Sequence, residues 1–480
     1  MAKPAINLDD KYALESGRVF LTGTQALVRL PMMQRRRDEA AGLNTAAFIS
    51  GYRGSPLGAF DQQLWRAKKF LAKHHIHFQP GVNEDLAATA VWGSQQGDIF
   101  GDLNYDGVFA MWYGKGPGVD RSGDVFRHGN MAGTSKHGGV LLLAGDDHAA
   151  KSSTTAHQCE YAFMDAMTPV LHPAGVQEIL DYGLYGWALS RYSGCWIGFK
   201  CIGETMDSTA SVHVDPHRVD IKLPEDFEMP EGGLNIRWKG ALDILEQEER
   251  LHRYKLYAAL AFCRANNLNR TVMDSPKRRF GIVTTGKSYL DVRQALDDLG
   301  IDDKMAEDIG LSVYKVGMVW PLEREGIRKF SEGLSEILVV EEKRAMIENQ
   351  MKEQLYNWKE DVRPTVVGKF DEKGKWLIPS TAELTPAQIA RAIAQLIGRH
   401  VTSERIERRL KFLEKKEQSL SREIAPLKRI PTFCSGCPHN TSTKVPDGSR
   451  ALAGIGCHYM VQWMDRSTET FTQMGGEGVT

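Results

Sequence analysis

Three cysteines near the C-terminal end are the residues best spaced for chemistry. Cys434 and Cys437 form a C-x2-C pair in "FCSGCPHN", and Cys457 follows in "AGIGCHYM". The chain has only seven cysteines, so this concentration needs a reason. A C-x2-C turn presents two thiolates together, and a glycine-flanked loop lets a third reach the same bulky ligand. Three readings follow. An iron–sulfur cluster would need a fourth ligand beyond these three. Zinc would take His439 or His458 as its fourth. A redox dithiol is the third, although the strand before it and the helix after it are not evident. Spacing alone leaves the three open.

Acid–base chemistry has its own candidates. "GVNEDLAATAVWGSQQG" places Glu84 and Asp85 at the start of an alanine-rich helix. Acidic residues there offset the helix dipole, and the same position can hold a carboxylate toward a cofactor. "GYRGSPLG" contains Gly54, Ser55 and Pro56 and could face a phosphate or a substrate. It fits neither the P-loop nor the dinucleotide-binding template, so an ordinary tight loop stands beside that reading. "GKGPGVDRSGD" fails both templates too, and Lys115 within it meets either an anion or solvent. His128, His137, His148, His157 and His172 show no H-E-x-x-H spacing. Most read as polar loop residues. "GDDH", Gly145 to His148, is the best placed for acid–base work.

These residues must be positioned by elements, and the elements are legible. "TAAFIS", "GVFAMWY", "GGVLLLAG" and "CWIGFKCIG" are apolar runs leading into glycine-rich loops. Runs without alternation suit strands buried on both faces of a parallel sheet. The loops after such strands build the ligand site, which is where the motifs fall. A second α/β unit begins after "DSPKRR", with "FGIVTTG", "LSVYKVGMVWPL" and "EILVVEEK" as strands. In the charged helix "SERIERRLKFLEKKEQSLSRE", Ile406, Leu410 and Leu413 form a single apolar stripe. The expected organisation is a strand-rich domain over 1–224 and a helical connector over 225–274. A second α/β domain then spans 275–400, a charged linker helix 401–430, and a short cysteine-bearing segment 431–480.

Composition narrows the function classes. At 480 residues, several domains are expected. A formal net charge of −1 gives no basic excess for nucleic acid or an acidic membrane surface. No apolar stretch is long enough to span a bilayer. The N-terminus lacks the pattern of a signal peptide. Few cysteines, odd in number, suit a cytoplasmic protein with reduced thiols.

Taken in order, these stretches resemble the thiamine-diphosphate-dependent 2-oxoacid:ferredoxin oxidoreductases, in particular the long single-chain indolepyruvate ferredoxin oxidoreductases. "FISGYRGSPLGAFD" resembles the family's first substrate and cofactor loop. "VNEDLAATAVWGSQQ" resembles the segment whose glutamate contacts the thiamine pyrimidine. "FGIVTTGKSYLDVRQALDDLG" with "EILVVEEK" resembles a transketolase C-terminal-like domain. "FCSGCPHN" and "AGIGCHYM" resemble the start of a diphosphate-binding domain.

The resemblance implies thiamine diphosphate, Mg²⁺ and a [4Fe-4S] cluster as cofactors. It implies Glu84 as the catalytic carboxylate, with Gly54, Ser55 and Pro56 near cofactor or substrate. Cys434, Cys437 and Cys457 become cluster ligands, and Gly475 and Gly476 in "MGGEG" belong to a glycine-rich loop of the diphosphate domain. The implied reaction is oxidative decarboxylation of an aryl or branched 2-oxo acid, with coenzyme A and ferredoxin as partners, in a homodimer. A G-D-G…N magnesium element is absent from the sequence. The expectation is therefore the N-terminal portion of such an enzyme, inactive alone, completed by further sequence or a second chain that also supplies the fourth cluster ligand. The alternative is a non-catalytic, zinc-stabilised binding or assembly module.

Overall fold

The computed structural model describes residues 7–101, 103–151, 155–237, 244–422, 429–454 and 456–469. The first strands in chain order are β1 (Arg18–Thr22), β2 (Thr45–Gly51), β3 (Ile76–Phe78), β4 (Gly107–Lys115), β5 (Val140–Asp146), β6 (Val170–Leu171), β7 (Ile197–Ile202) and β8 (Thr209–His213). They are followed by β9 (Arg270–Met273), β10 (Phe280–Thr285), β11 (Leu311–Val316), β12 (Met318–Trp320), β13 (Glu336–Val340) and β14 (Thr365–Val367).

A seven-stranded sheet runs in the order β12-β6-β7-β5-β4-β2-β3. All its pairings are parallel except that of β12 with β6. Every residue of β5 and β7 is buried, the expected result of covering both sheet faces with helices. Strand β4 shows how its side chains divide. Phe109, Met111 and Tyr113 enter a core packed by the helices Gly23–Ala40 and Val176–Ser193, while Ala110 and Trp112 enter the opposite core beside the helix Glu84–Ser94. β1 and β8 form a separate antiparallel ribbon.

A five-stranded sheet follows in the order β14-β13-β10-β11-β9. It is parallel except at β9, which adds antiparallel to the edge of β11 and brings Arg270–Met273 into this sheet. The two sheets are interleaved in sequence. β12 lies directly after β11, yet it pairs with β6 in the first sheet. The charged helix Glu404–Arg422 lays Ile406, Leu410 and Leu413 against the second domain's core. Residues Phe433, Ala453 and Val461 form a small separate cluster, with Cys437, Met460 and Met464 packed on it. Among the described residues, no helix is long and apolar enough to cross a membrane.

Candidate functional site

The loops at the C-terminal ends of β2, β3, β4, β5 and β7 meet at one end of the first sheet. Backbone hydrogen bonds fix two of them together. The Gly81 N–H donates to Gly51 O at 2.9 Å, and the Tyr52 N–H to Tyr113 O at 3.0 Å. Arg53 pairs with buried Asp61 at 3.0 Å, which anchors the Gly54–Pro56 loop from below. Gly54 cannot be replaced freely, because a Cβ there would lie 2.8 Å from Lys115 Cβ.

Glu84 opens the helix Glu84–Ser94. Asn83 caps that helix by accepting from the Leu86 N–H at 2.9 Å. The indole of Trp112 donates to Glu84 O at 3.1 Å, and Arg121 pairs with Asp85 at 3.1 Å. The backbone at Glu84 is thus held from several sides, while its own half-buried carboxylate has no hydrogen-bond donor among the described residues. That carboxylate lies against Gly118, where a Cβ would come within 2.5 Å of Glu84 Cγ and 2.8 Å of Oε1.

A cavity of about 410 Å³ opens beside these loops. Ser55 and Pro56 line it together with Asp146, Asp147, Lys151, Glu204 and Glu383. The structure brings Ser55 and Pro56 to this cavity, but Glu84 does not line it; Glu84 stands at the neighbouring Gly118 loop. Lys151 bridges Glu204 at 3.2 Å and Glu383 at 2.9 Å, which ties the cavity's rim to the second domain.

Beneath the cavity lies a polar network built on Asp146 and His148 of "GDDH", whose partners Cys159, Glu160 and Lys200 the sequence did not reveal. Asp146 is only 1% exposed. Its Oδ1 accepts from Cys159 Sγ at 2.6 Å, and its Oδ2 accepts from the Cys159 N–H at 3.0 Å. Lys200 Nζ sits 3.4 Å from Asp146 Oδ2 and 2.5 Å from Glu160 Oε1. Burial opposes the charged form of Asp146, but Lys200 and the hydrogen bond from His157 outweigh it and hold the carboxyl well below the usual range. Burial also works against charge on His157, yet its hydrogen bonds to Asp120 and Asp146 together lift its pKa to about 9. His148 and His172 are both pushed well below the usual histidine value by burial, then by Lys200. Among the described residues, neither has a hydrogen-bond partner at either ring nitrogen. The available sequence signals were the lone lysine in the apolar strand "IGFKCI" and the H-x-C spacing of His157 and Cys159.

The three C-terminal cysteines lie apart from this end of the sheet in their contacts; their hydrogen bonds stay within residues 433–469. Cys434 and Cys457 are exposed and Cys437 is half-buried. The Cys437 N–H donates to Cys434 O at 3.0 Å across a turn in which Gly436 takes φ +77°, a conformation suited to glycine. Cys437 Sγ lies 3.3 Å from His439 Nδ1. The three sulfurs do not gather within 4.8 Å of one another. A tetrahedral zinc–thiolate site would bring them to roughly 3.8 Å. Gly475 and Gly476 lie outside the described residues.

The fold is of the α/β class shared with a 2-oxoglutarate:ferredoxin oxidoreductase from Magnetococcus marinus. That likeness has a TM-score of 0.55 at 15% identity, over 79% of this chain and 65% of that one. Within the class, residues 269–423 match the indolepyruvate ferredoxin oxidoreductase middle domain. The chain is 26% identical over 473 residues to indolepyruvate oxidoreductase subunit IorA of Pyrococcus abyssi, covering 96% of this chain and 64% of that protein. It is 25% identical over 475 residues to the subunit of the same name from Thermococcus kodakarensis, covering 95% and 64% respectively. The chain is similar to these subunits over nearly its whole length, and it spans 64% of the length of each of them.

Proposed function

We propose that this chain contributes the pyrimidine side of a thiamine-diphosphate site to an oxidoreductase that decarboxylates an aryl or branched 2-oxo acid. Acyl-CoA is the proposed product, with electrons passing through a [4Fe-4S] cluster to ferredoxin. The observation that carries this reading is Glu84. Its backbone is locked by Asn83 and Trp112, and its carboxylate is left without a donor against a glycine. A half-buried carboxylate so prepared fits a ring nitrogen of the cofactor, whose N–H it would accept and whose proton it would help to move. When bound, thiamine diphosphate supplies the nucleophilic carbon and electron sink for decarboxylation, and the cluster accepts single electrons.

The chain's own residues have distinct roles in this proposal. Gly118 leaves room for the Glu84 carboxylate. Ser55, with Gly54 and Pro56, orients cofactor or substrate from the loop after β2. Cys434, Cys437 and Cys457 provide cluster thiolates, for which the exposed C-x2-C turn is a fitting donor set. Gly475 and Gly476 follow the diphosphate. The Mg²⁺ ligands and the fourth cluster ligand are assigned to none of these residues. The proposed domain organisation places the pyrimidine side in 1–224, a connector in 225–274, a transketolase C-terminal-like domain in 275–400, a linker helix in 401–430 and the diphosphate side from 431 onward. A cytoplasmic homodimer completes the proposal.

The test is anaerobic viologen reduction dependent on both a 2-oxo acid and coenzyme A, with the protein expressed together with any further chain it requires. Iron and acid-labile sulfide are measured on the same sample. Turnover accompanied by iron and sulfide is expected. The close approach of Cys437 to His439 favours one rival, a zinc-stabilised binding module. Stoichiometric zinc without sulfide, and no turnover, would replace the oxidoreductase reading with that one.

A further inference from the structure

Asp146, His157 and Cys159 come from one stretch of chain but gather around one point. One ligand atom from each lies within 4.8 Å of the other two. Asp146 Oδ1 is 2.6 Å from Cys159 Sγ and 3.4 Å from His157 Nδ1, and the sulfur and that nitrogen are 3.4 Å apart. In a tetrahedral zinc site with bonds of about 2.0–2.3 Å, neighbouring donors lie roughly 3.3–3.8 Å apart. Two of the three separations already match. The third, between Asp146 Oδ1 and Cys159 Sγ, is shorter than a tetrahedral edge.

Each donor also has the outer partner that a metal ligand requires. His157 turns Nδ1 inward, and its Nε2 meets Asp120 Oδ2 at 2.8 Å. A carboxylate behind the imidazole fixes the ring and raises its basicity, which is the usual support for a ligating histidine. Lys200 contacts Asp146 through Oδ2, and its ammonium is matched by Glu160 at 2.5 Å. Oδ1 therefore remains directed at the sulfur and the imidazole. The Cys159 N–H donates to Asp146 Oδ2, which holds both ligands in register.

A separate observation points to something bound. His148 is 2% exposed, and neither of its ring nitrogens has a hydrogen-bond partner among the described residues. A buried polar group without a partner is destabilising, because it has lost its hydrogen bonds to water. Its Nε2 lies 4.0 Å from Asp146 Oδ2, which places the unpartnered ring beside the same carboxylate.

We propose that Asp146, His157, Cys159 and His148 form a mononuclear site for a zinc-like divalent ion, distinct from the C-terminal cysteines. One thiolate, two imidazoles and one carboxylate are a borderline donor set that suits Zn²⁺ or Co²⁺ rather than Mg²⁺ or Ca²⁺. On binding, the metal–sulfur bond forms as the Cys159 S–H bond breaks, the metal–nitrogen bond forms as the His157 Nδ1–H bond breaks, and both protons leave to solvent. No electron is transferred. The ion joins the C-terminal end of β5 to the start of the helix Glu160–Asp165 and, through Asp120, to the helix Gly116–Arg121 that follows β4. It closes the floor of the 410 Å³ cavity, which Asp146 lines. The inference does not depend on thiamine chemistry at Glu84.

The experiment is an anaerobic Co²⁺ titration of the full chain in which Cys434, Cys437 and Cys457 are replaced by serine, so that no C-terminal thiol competes. One equivalent is expected to bind, with a thiolate-to-cobalt charge-transfer band and the visible bands of four-coordinate cobalt. Cys159→Ser is expected to remove the charge-transfer band. Asp120→Asn, which keeps all four ligands, is expected to weaken binding about 10–100-fold. If circular dichroism shows that Cys159→Ser does not fold, His148→Ala carries the decision: the four-coordinate bands must collapse. Absence of a charge-transfer band in the background protein, its survival in Cys159→Ser, or unaltered four-coordinate bands in His148→Ala each overturns the site.

Discussion

At the scale of single residues, Glu84 and Gly118 form one unit. The glycine has no side chain, and the glutamate fills the space with its carboxylate. Glu84→Gln keeps the shape and removes the charge. It is expected to lower 2-oxo-acid-dependent viologen reduction at least about 100-fold, the range of a lost acid–base group, without altering the melting temperature. Unchanged turnover would take Glu84 out of the mechanism. Gly118→Ala acts by a different route, because the new methyl displaces the carboxylate. Activity is expected to fall roughly 10–100-fold for a shift of this kind. Stability should hold or rise by about 0.5 kcal/mol, because alanine lowers the unfolded chain's entropy. Parallel loss of activity and stability would indicate a packing role only.

At the scale of elements, much of the fold was legible and the remainder had physical reasons for being hidden. Runs such as "VLLLAG" had to be doubly covered parallel strands, and β5 is buried throughout. The stripe Ile406, Leu410 and Leu413 could only be the packed edge of a charged helix, and it is. Ile406→Ala is accordingly expected to cost about 2–4 kcal/mol. Phe412→Ala, on the exposed face of the same helix, should cost under about 1 kcal/mol; denaturant melts compare them. The strand exchange of β12 was not legible, because three residues carry too little pattern to reveal their partner. The Asp146 network was hidden for another reason. Its members Cys159 and Lys200 read as ordinary residues until the fold brings them onto one carboxylate. Of the candidate site, the Glu84 and Ser55 loops could be placed from sequence, but their assignment to different recesses could not.

One loop in the second domain gives a prediction with a definite sign. Glu341 is buried, and burial raises its carboxyl to about 7 despite the N–H groups of Ile347 and Glu348 at 2.9 and 3.0 Å. Its folded pKa lies above its unfolded value, so the folded state holds the extra proton. That contribution is complete below about pH 4.5 and is lost as pH rises through 7. Glu341→Gln cannot ionise and should flatten this decline in stability between pH 4.5 and 7. An unchanged slope in urea melts across that range would refute the assignment.

At the scale of the whole molecule, the two sheets do not behave as separable bodies. β12 leaves the second domain to pair with β6. One apolar cluster runs from Phe163, Val170 and Trp196 in the first domain through Val316, Val319 and Trp320 to Ile337 and Val339 in the second. Unfolding either domain alone would strip partners from the other's strand edge and open that shared cluster to water. Each fully buried large apolar side chain so exposed costs about 1.5–3 kcal/mol, and several would be exposed together. Residues 7–422 are therefore expected to melt in one cooperative transition, with calorimetric and van't Hoff enthalpies in agreement. The segment 433–469 differs, because its own core among the described residues is three buried side chains, too few to hold it without further support. Cys434→Ser, Cys437→Ser and Cys457→Ser together, which remove only the metal proposed at these residues, should make this segment sensitive to protease while leaving the main transition where it was. Two resolved transitions within 7–422, or a main transition that moves with the metal at the C-terminal cysteines, would show that the cores are coupled otherwise.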